Sequence, residues 1–205
     1  MKLLLHLLAS STFCSARHHK GETIDAPMEM LYDINHVINL ELDDGAISLY
    51  AEVSTAMSDL ILMSESCEMC YTWTGTKINT EEVGASPLLE KSFDYFHLTE
   101  RYSVNSIGDY YKKKVCISEK CAEDMPVFVV EKADPYLSCL GDGFIGLAPV
   151  SDEKNNGFSL LEWLYKHEVI HKKAFGIHTH LYKSKEDPST IRLGGYDKSL
   201  FPQGH

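Results

Sequence analysis

The chain has 205 residues, of which 44% are hydrophobic and 24% charged, and its formal net charge is -11. That length and composition allow one large domain or two small ones with a substantial core. The acidic balance excludes nucleic-acid binding through a basic field, because nothing in it attracts phosphates.

The first residues read as a secretory signal peptide, 1–16. Lys2 supplies the positive end, Leu3 to Ala9 form an apolar run broken only by His6, and Cys14-Ser15-Ala16 is a small-residue cleavage site ahead of Arg17. The run is too short to span a membrane, and no later segment is long enough. A soluble protein of the secretory pathway is expected, either secreted or delivered to a lysosome or vacuole. Residues 17–33 follow as a short polar leader, exposed over Arg17 to Pro27, with a basic cluster at Arg17, His18, His19 and Lys20.

From Val37 the pattern alternates. Ile38, Leu40 and Leu42 point one way, and Asn39, Glu41 and Asp43 the other; Asp44-Gly45 turns the chain, and Leu49, Ala51 and Val53 resume the alternation. Two alternating runs about an Asp-Gly turn predict a β-hairpin. Leu60 to Met63 is almost wholly apolar and predicts a buried strand. Residues 71–100 carry weak strand signals with a loop at Glu81 to Pro87. Pro126 to Val130 is β-rich, Gly141-Asp142-Gly143 is a turn leading into Phe144-Ile145, and Asp152 to Gly157 is a polar loop. Leu160, Leu161, Trp163, Leu164 and Tyr165 give the best helix, with Ser159 as its cap. Phe175, Ile177, Thr179 and Leu181 alternate as a strand, Lys185 to Pro188 turns, and Ile191-Arg192-Leu193 is a short strand before Gly194-Gly195. The fold class is mostly β with one or two short helices.

Of six cysteines, Cys14 leaves with the signal. In an oxidising compartment Cys67/Cys70 and Cys116/Cys121 read as local disulfides. Cys139 is left over and reads as a buried free thiol. A zinc site on Cys67-x-x-Cys70 is disfavoured because no second such pair follows.

Several segments, in order, resemble the first lobe of the pepsin-like aspartic proteases. That family has hydrophobic-Asp-Thr-Gly-Ser-Ser-x-Leu-Trp-Val-Pro-Ser-x-x-Cys after a hairpin. Here the run from Val53 to Cys67 fits without a gap, matching at Thr55, Ser58, Leu60, Ser64 and Cys67. Asp142-Gly143-Phe144-Ile145-Gly146-Leu147 is similar to the family's Asp-Gly-Ile-Leu-Gly-Leu, and Ile191 to Asp197 to its strand-Gly-Gly-x-Asp ending. The resemblance covers roughly Ile34 to Phe201 and implies a pepsin-like, sandwich- or barrel-like lobe over 34–201. It also implies aspartic endopeptidase ancestry, a peptide or protein substrate, and no cofactor or metal.

Such enzymes use two carboxylates, one from each lobe, that share a proton. One activates water and the other polarises the scissile carbonyl. This chain departs from that pattern. Ser54 stands at the Asp position, Ala56 at the Gly and Met57 at a Ser; Thr55 is kept. A serine hydroxyl has no acidic proton to share, so a lobe inactive by itself is expected. The sequence ends at His205, where the family's linker leads on, and the second lobe is read as absent; pairing with a separate lobe or with itself is the implied partner arrangement. Tyr102-Ser103-Val104-Asn105-Ser106 resembles the family flap Tyr-Gly-x-Gly-Ser, keeping Tyr102 and Ser106 as substrate contacts but losing both glycines; Gly108 matches the next family glycine if one residue is deleted. Asp59 and Asp142 read as structural rather than as substitute acids.

Competing readings are a non-catalytic peptide-binding or structural lobe, and a zinc protease on His167-Glu168-Val169-Ile170-His171. The latter needs both histidines on one helix face and a third ligand. The helix signal fades near Lys166, His178 misses the expected spacing by one, and the alignment puts Val169 and Ile170 inward at the helix exit.

Overall fold

The computed structural model describes residues 22–31, 35–80, 89–97, 100–150, 158–180 and 188–200. The expected signal peptide, the start of the expected leader, the loops expected at 81–87 and 152–157, and Leu181 to Asp187 lie outside them. In chain order the strands are β1 (Ile24–Leu31), β2 (Asn35–Leu42), β3 (Ile47–Ser54), β4 (Leu60–Met63), β5 (Cys70–Tyr71), β6 (Leu89–His97), β7 (Glu100–Ile117), β8 (Lys120–Asp134), β9 (Leu137–Ser138), β10 (Gly143–Gly146), β11 (Phe175–His178) and β12 (Thr190–Leu193). One helix, α1 (Leu160–Lys166), and a 3-10 turn at Lys198–Leu200 complete the described elements.

Ten strands form one sheet in the order β11-β12-β1-β2-β3-β10-β4-β8-β7-β6. β2 is the pivot. Its first half pairs with β1 (Met28↔Ile38 to Leu31↔Asn35), and its second half pairs with β7 (Leu40↔Ile117 to Leu42↔Val115). The second pairing closes β2, β3, β10, β4, β8 and β7 into a ring, so these strands have no free edge between them.

The predicted hairpin is β2–β3, registered from Val37↔Glu52 to Leu42↔Ile47. Its turn is longer than Asp44-Gly45 alone. Asp43, Asp44 and Gly45 all take positive φ (50°, 61° and 83°), which short polar residues and glycine tolerate best.

The apolar run at β4 is buried on both faces for a simple reason. Leu60 and Leu62 join a core with Leu40, Leu49, Ala51, Val127, Val129 and Ile145; Ile61 and Met63 join a second core with Val104, Phe128, Val130, Cys139 and Phe144. Alternate side chains thus enter opposite cores, as a doubly covered strand requires. α1 caps the first core with Leu160, Leu161 and Leu164. The Ser159 side chain accepts from the Glu162 N–H as predicted.

Two expectations change. The leader is not exposed over its second half: Ile24, Ala26 and Met28 are buried and alternate with exposed Asp25, Pro27 and Glu29. The segment is a true sheet strand, pairing with β12 (Ile24↔Leu193 to Pro27↔Thr190) before it reaches β2. The weakly signalled region also contributes one arm of a long hairpin. β6 runs against β7 from Leu89↔Gly108 to His97↔Glu100, and β7 runs on to pair with β8. Lys112, Lys113 and Lys114 hid that strand in the sequence. Lys113 and Lys114 are held by Asp43, Asp44 and Glu123, so the lysine ammonium groups find partners on neighbouring segments while the strand pairs with β8.

Both predicted disulfides are present, Cys67–Cys70 and Cys116–Cys121, and Cys139 is a buried free thiol.

Candidate functional site

β10 lies between β3 and β4, parallel to the first (Gly143↔Ala51 to Gly146↔Ser54) and antiparallel to the second (Gly143↔Leu62 to Ile145↔Leu60). The chain leaves β3 at Ser54, loops through Thr55 to Asp59 and returns in β4. That loop is stitched to the end of β10: Leu147 N–H donates to the Ser54 carbonyl (2.8 Å), Ala148 N–H to Met57 (2.9 Å) and Gly146 N–H to Asp59 (2.9 Å). Gly146 makes this possible. A Cβ there would sit 2.5 Å from the Ser58 carbonyl carbon and 2.6 Å from the carbonyl oxygens of Met57 and Asp59, so only glycine lets the loop lie this close.

Ser54 is half-buried at the tip of β3, and its Oγ accepts from the Ala56 N–H at 3.2 Å. Thr55 and Ala56 are exposed, and Met57 turns inward. Ala56 does not take a positive φ, so its Cβ is accommodated without backbone strain.

Neither nearby aspartate offers a free carboxylate. Asp59 Oδ1 accepts from the Tyr110 hydroxyl and from the Phe158 N–H (2.9 Å). Burial, with the Asp59 carboxylate next, pushes the Tyr110 hydroxyl far above its ordinary value. Tyr110 in turn packs edge-on against Phe158, which packs on Trp163, so Asp59 ties the Ser54 loop to the entry of α1. Asp142 is 1% exposed. It accepts from Tyr50 N–H (3.0 Å), Thr74 N–H (3.0 Å) and the Thr74 hydroxyl (2.6 Å). It is the clamp that fastens the turn before β10 to β3.

Glu52 is a residue the sequence reading missed. It alternates outward from Leu49, Ala51 and Val53, which by pattern alone would put it in solvent. The segment Cys139 to Asp142 folds over that face instead and leaves Glu52 7% exposed. Its carboxyl accepts from Asn35 Nδ2 and from Leu140 N–H (3.2 Å). Burial outweighs those two donors and pushes Glu52 up to about 7. It shares a strand face with Ser54, two positions away. Cys139, against the same pocket, donates to the Gly141 carbonyl (3.0 Å). Burial, with Glu52 and Asp142 adding to it, holds that thiol well above its ordinary range, so it is not a thiolate nucleophile.

Tyr102 stands on β7 opposite Tyr95, two positions beyond His97↔Glu100 at the hairpin end. Ser106, expected as a substrate contact, is fully buried between Lys91 of β6 and Ala133 of β8. β7 is flanked on both sides there, so the Ser106 backbone lies between two paired strands. Gly108 lies where β7 crowds β8: a Cβ would meet the Val129 carbonyl oxygen at 2.1 Å.

The His-Glu-x-x-His segment is not helical. α1 ends at Lys166, His167 is its cap and stacks on Trp163 (4.3 Å between ring centres), and Glu168 has φ 60°. The histidines therefore do not share a helix face. Ile170 is fully buried and Val169 packs on the first core, as the alignment implied. No cluster of three or more His, Cys, Asp or Glu that could hold a metal ion occurs among the described residues.

A barrel lobe with a loop knotted between β3 and β4 at the tip of β10 is the architecture of an acid-protease lobe. The eukaryotic aspartyl protease model matches residues 51–204, and the chain belongs to that family. The fold agrees with the crystal structure of aspartic proteinase from Irpex lacteus, at a TM-score of 0.59 and 15% identity, over 86% of this chain and 49% of that one. The chain thus spans about half the length of that protein. No curated protein matches it. Among the described residues no helix is long and apolar enough to cross a membrane.

Proposed function

We propose that this lobe is a non-cleaving member of the aspartyl protease family that holds peptide against the tip of β3. The observation that carries the reading is Ser54 at the end of β3, with its hydroxyl turned to its own loop. The resemblance of Val53 to Cys67 to the family's Asp-Thr-Gly motif gives this position to a catalytic Asp, and serine supplies neither a shared proton nor a negative charge to activate water. Asp59 and Asp142 are no substitutes, since their oxygens already serve Tyr110, Phe158, Tyr50 and Thr74. The kept Thr55 and Tyr102 suit peptide contact at the loop and the flap. The leading segment supports delivery through the secretory pathway to an extracellular, lysosomal or vacuolar space. A second lobe or a second copy would form the other wall of the cleft.

The test is digestion of an unfolded protein by the purified chain from acid to neutral pH, alongside Ser54→Asp/Ala56→Gly, with pepstatin-type inhibitor and chelator arms. No cleavage by the natural chain is expected. Inhibitor-sensitive cleavage would overturn the reading, and cleavage stopped only by the chelator would move the activity to His167 and His171.

A further inference from the structure

Glu52 is a carboxyl shut in without a cation. Its two hydrogen bonds come from uncharged donors, Asn35 Nδ2 and Leu140 N–H, and among the described residues no ion pair reaches it. What shuts it in is the segment Cys139 to Asp142, which joins β9 to β10 and belongs to neither strand. That segment rests directly on β3: a Cβ on Gly141 would meet the Tyr50 carbonyl oxygen at 2.3 Å and the Glu52 nitrogen at 3.2 Å. Cys139, Leu140 and Asp142 are themselves buried. A carboxylate formed beneath them is cut off from solvent and meets no positive charge, which disfavours ionisation.

The two ends of the segment are held unequally. At the Asp142 end, Asp142 N–H donates to Tyr50 O (2.6 Å) and Trp73 N–H to Gly141 O (2.8 Å), and the Asp142 carboxylate takes three further bonds from Tyr50 and Thr74. At the other end, Cys139 N–H reaches Tyr71 O at 3.3 Å and Leu140 N–H reaches Glu52 at 3.2 Å, while the Cys139 thiol donates within the segment, to Gly141 O. The other titratable groups on this pocket supply no positive charge. Cys139 and Asp142 come from the segment itself and Tyr50 from two positions along β3; β2 and β10 set Val37 and Phe144 opposite Glu52, and neither titrates. We propose that the Cys139–Leu140 stretch is a pH-dependent cover, closed over protonated Glu52 in acid and lifting from the Asp142 clamp, to expose Cys139, as that carboxyl ionises towards neutral pH. Burial pushes Glu52 up to about 7 from an ordinary 4.5. The closed cover is therefore favoured fully below about pH 4.5 and loses that preference as pH rises to about 7. An irregular stretch with few backbone bonds opens at lower cost than the sheet around it. The inference is independent of whether Ser54 disables cleavage.

The experiment labels the full chain with iodoacetamide from pH 4.5 to 8. The rate is read at Cys139 by mass spectrometry of its peptide and divided by that of a cysteine-bearing reference peptide in the same tube, which removes the ordinary thiolate dependence. The corrected rate should rise by up to about a hundredfold across that range and level off above about pH 7. Glu52→Gln should stay flat, within about threefold. Asn35→Ala removes a donor that favours the ionised form, so its rise should level off at a higher pH. Low urea should leave the rate unchanged, because local opening exposes little surface. If Glu52→Gln unfolds, Asn35→Ala and the urea series still decide. A rise as steep in Glu52→Gln as in the natural chain, or a levelling point that Asn35→Ala leaves in place or lowers, overturns the inference. So does a rate that climbs steeply with urea, or a Cys139 that stays unlabelled throughout.

Discussion

The middle and the tip of β3 are built differently. At its middle, Tyr50 and Glu52 are fastened to the turn before β10 through Asp142 and Leu140, and to β2 through Asn35. At its tip, Ser54 makes one local side-chain bond, and Thr55 and Ala56 are exposed. The buried polar contacts therefore sit behind the tip. The loop is held from below, while the side chains at the tip contribute little to stability.

The largest effect should come from breaking the fastened part. Asp142→Ala leaves the Tyr50 and Thr74 N–H groups without their acceptor. Unfolding in urea should show a loss on the order of 3–5 kcal/mol. A smaller change would mean that the clamp is not what holds the turn.

Glu52 sharpens the comparison through pH. Its folded value, about 7, lies above the ordinary 4.5. The folded state therefore binds the proton more tightly than the unfolded chain. The contribution to stability is fully present below about pH 4.5 and is lost as pH rises towards 7, at most about 3 kcal/mol in all. Stability measured from pH 4 to 8 should fall along that window in the natural chain. Glu52→Gln should flatten the fall. An unchanged slope in the variant would show that Glu52 is solvated.

Away from β3, Ser159→Ala removes the cap of α1 and should cost about 1 kcal/mol. Ser54→Ala should be the mildest, within about 0.5 kcal/mol in the same measurement. A large loss there would erase the distinction between the middle and the tip of the strand.

Strands with strict alternation were legible, as in β2 and β3, because burial of one face imposes a period of two. The helix and its Ser159 cap were legible for the same kind of local reason. β1 carried the same alternation at Ile24, Ala26 and Met28, but Asp25, Pro27 and Glu29 gave it a polar look. β7 was obscured because its lysines find carboxylates on neighbouring segments that are distant in sequence. The candidate site divides the same way. The alternation through Val53 put Ser54 at the end of a strand, where β3 ends, whereas the burial of Ser106 was not legible, since it depends on what packs over β7.

By itself the sequence determined the mostly β class, the hairpin, the cap, the paired cysteines and the serine at the tip of β3. These follow from local periodicity, short-range spacing and residue identity. Only the tertiary structure decided that Glu52 is buried, that Asp142 is a clamp, that the His167–His171 segment leaves the helix, and that Tyr71 and Tyr136 meet. Each of those depends on segments tens of residues apart packing together, and burial and hydrogen-bond partners are properties of that packing.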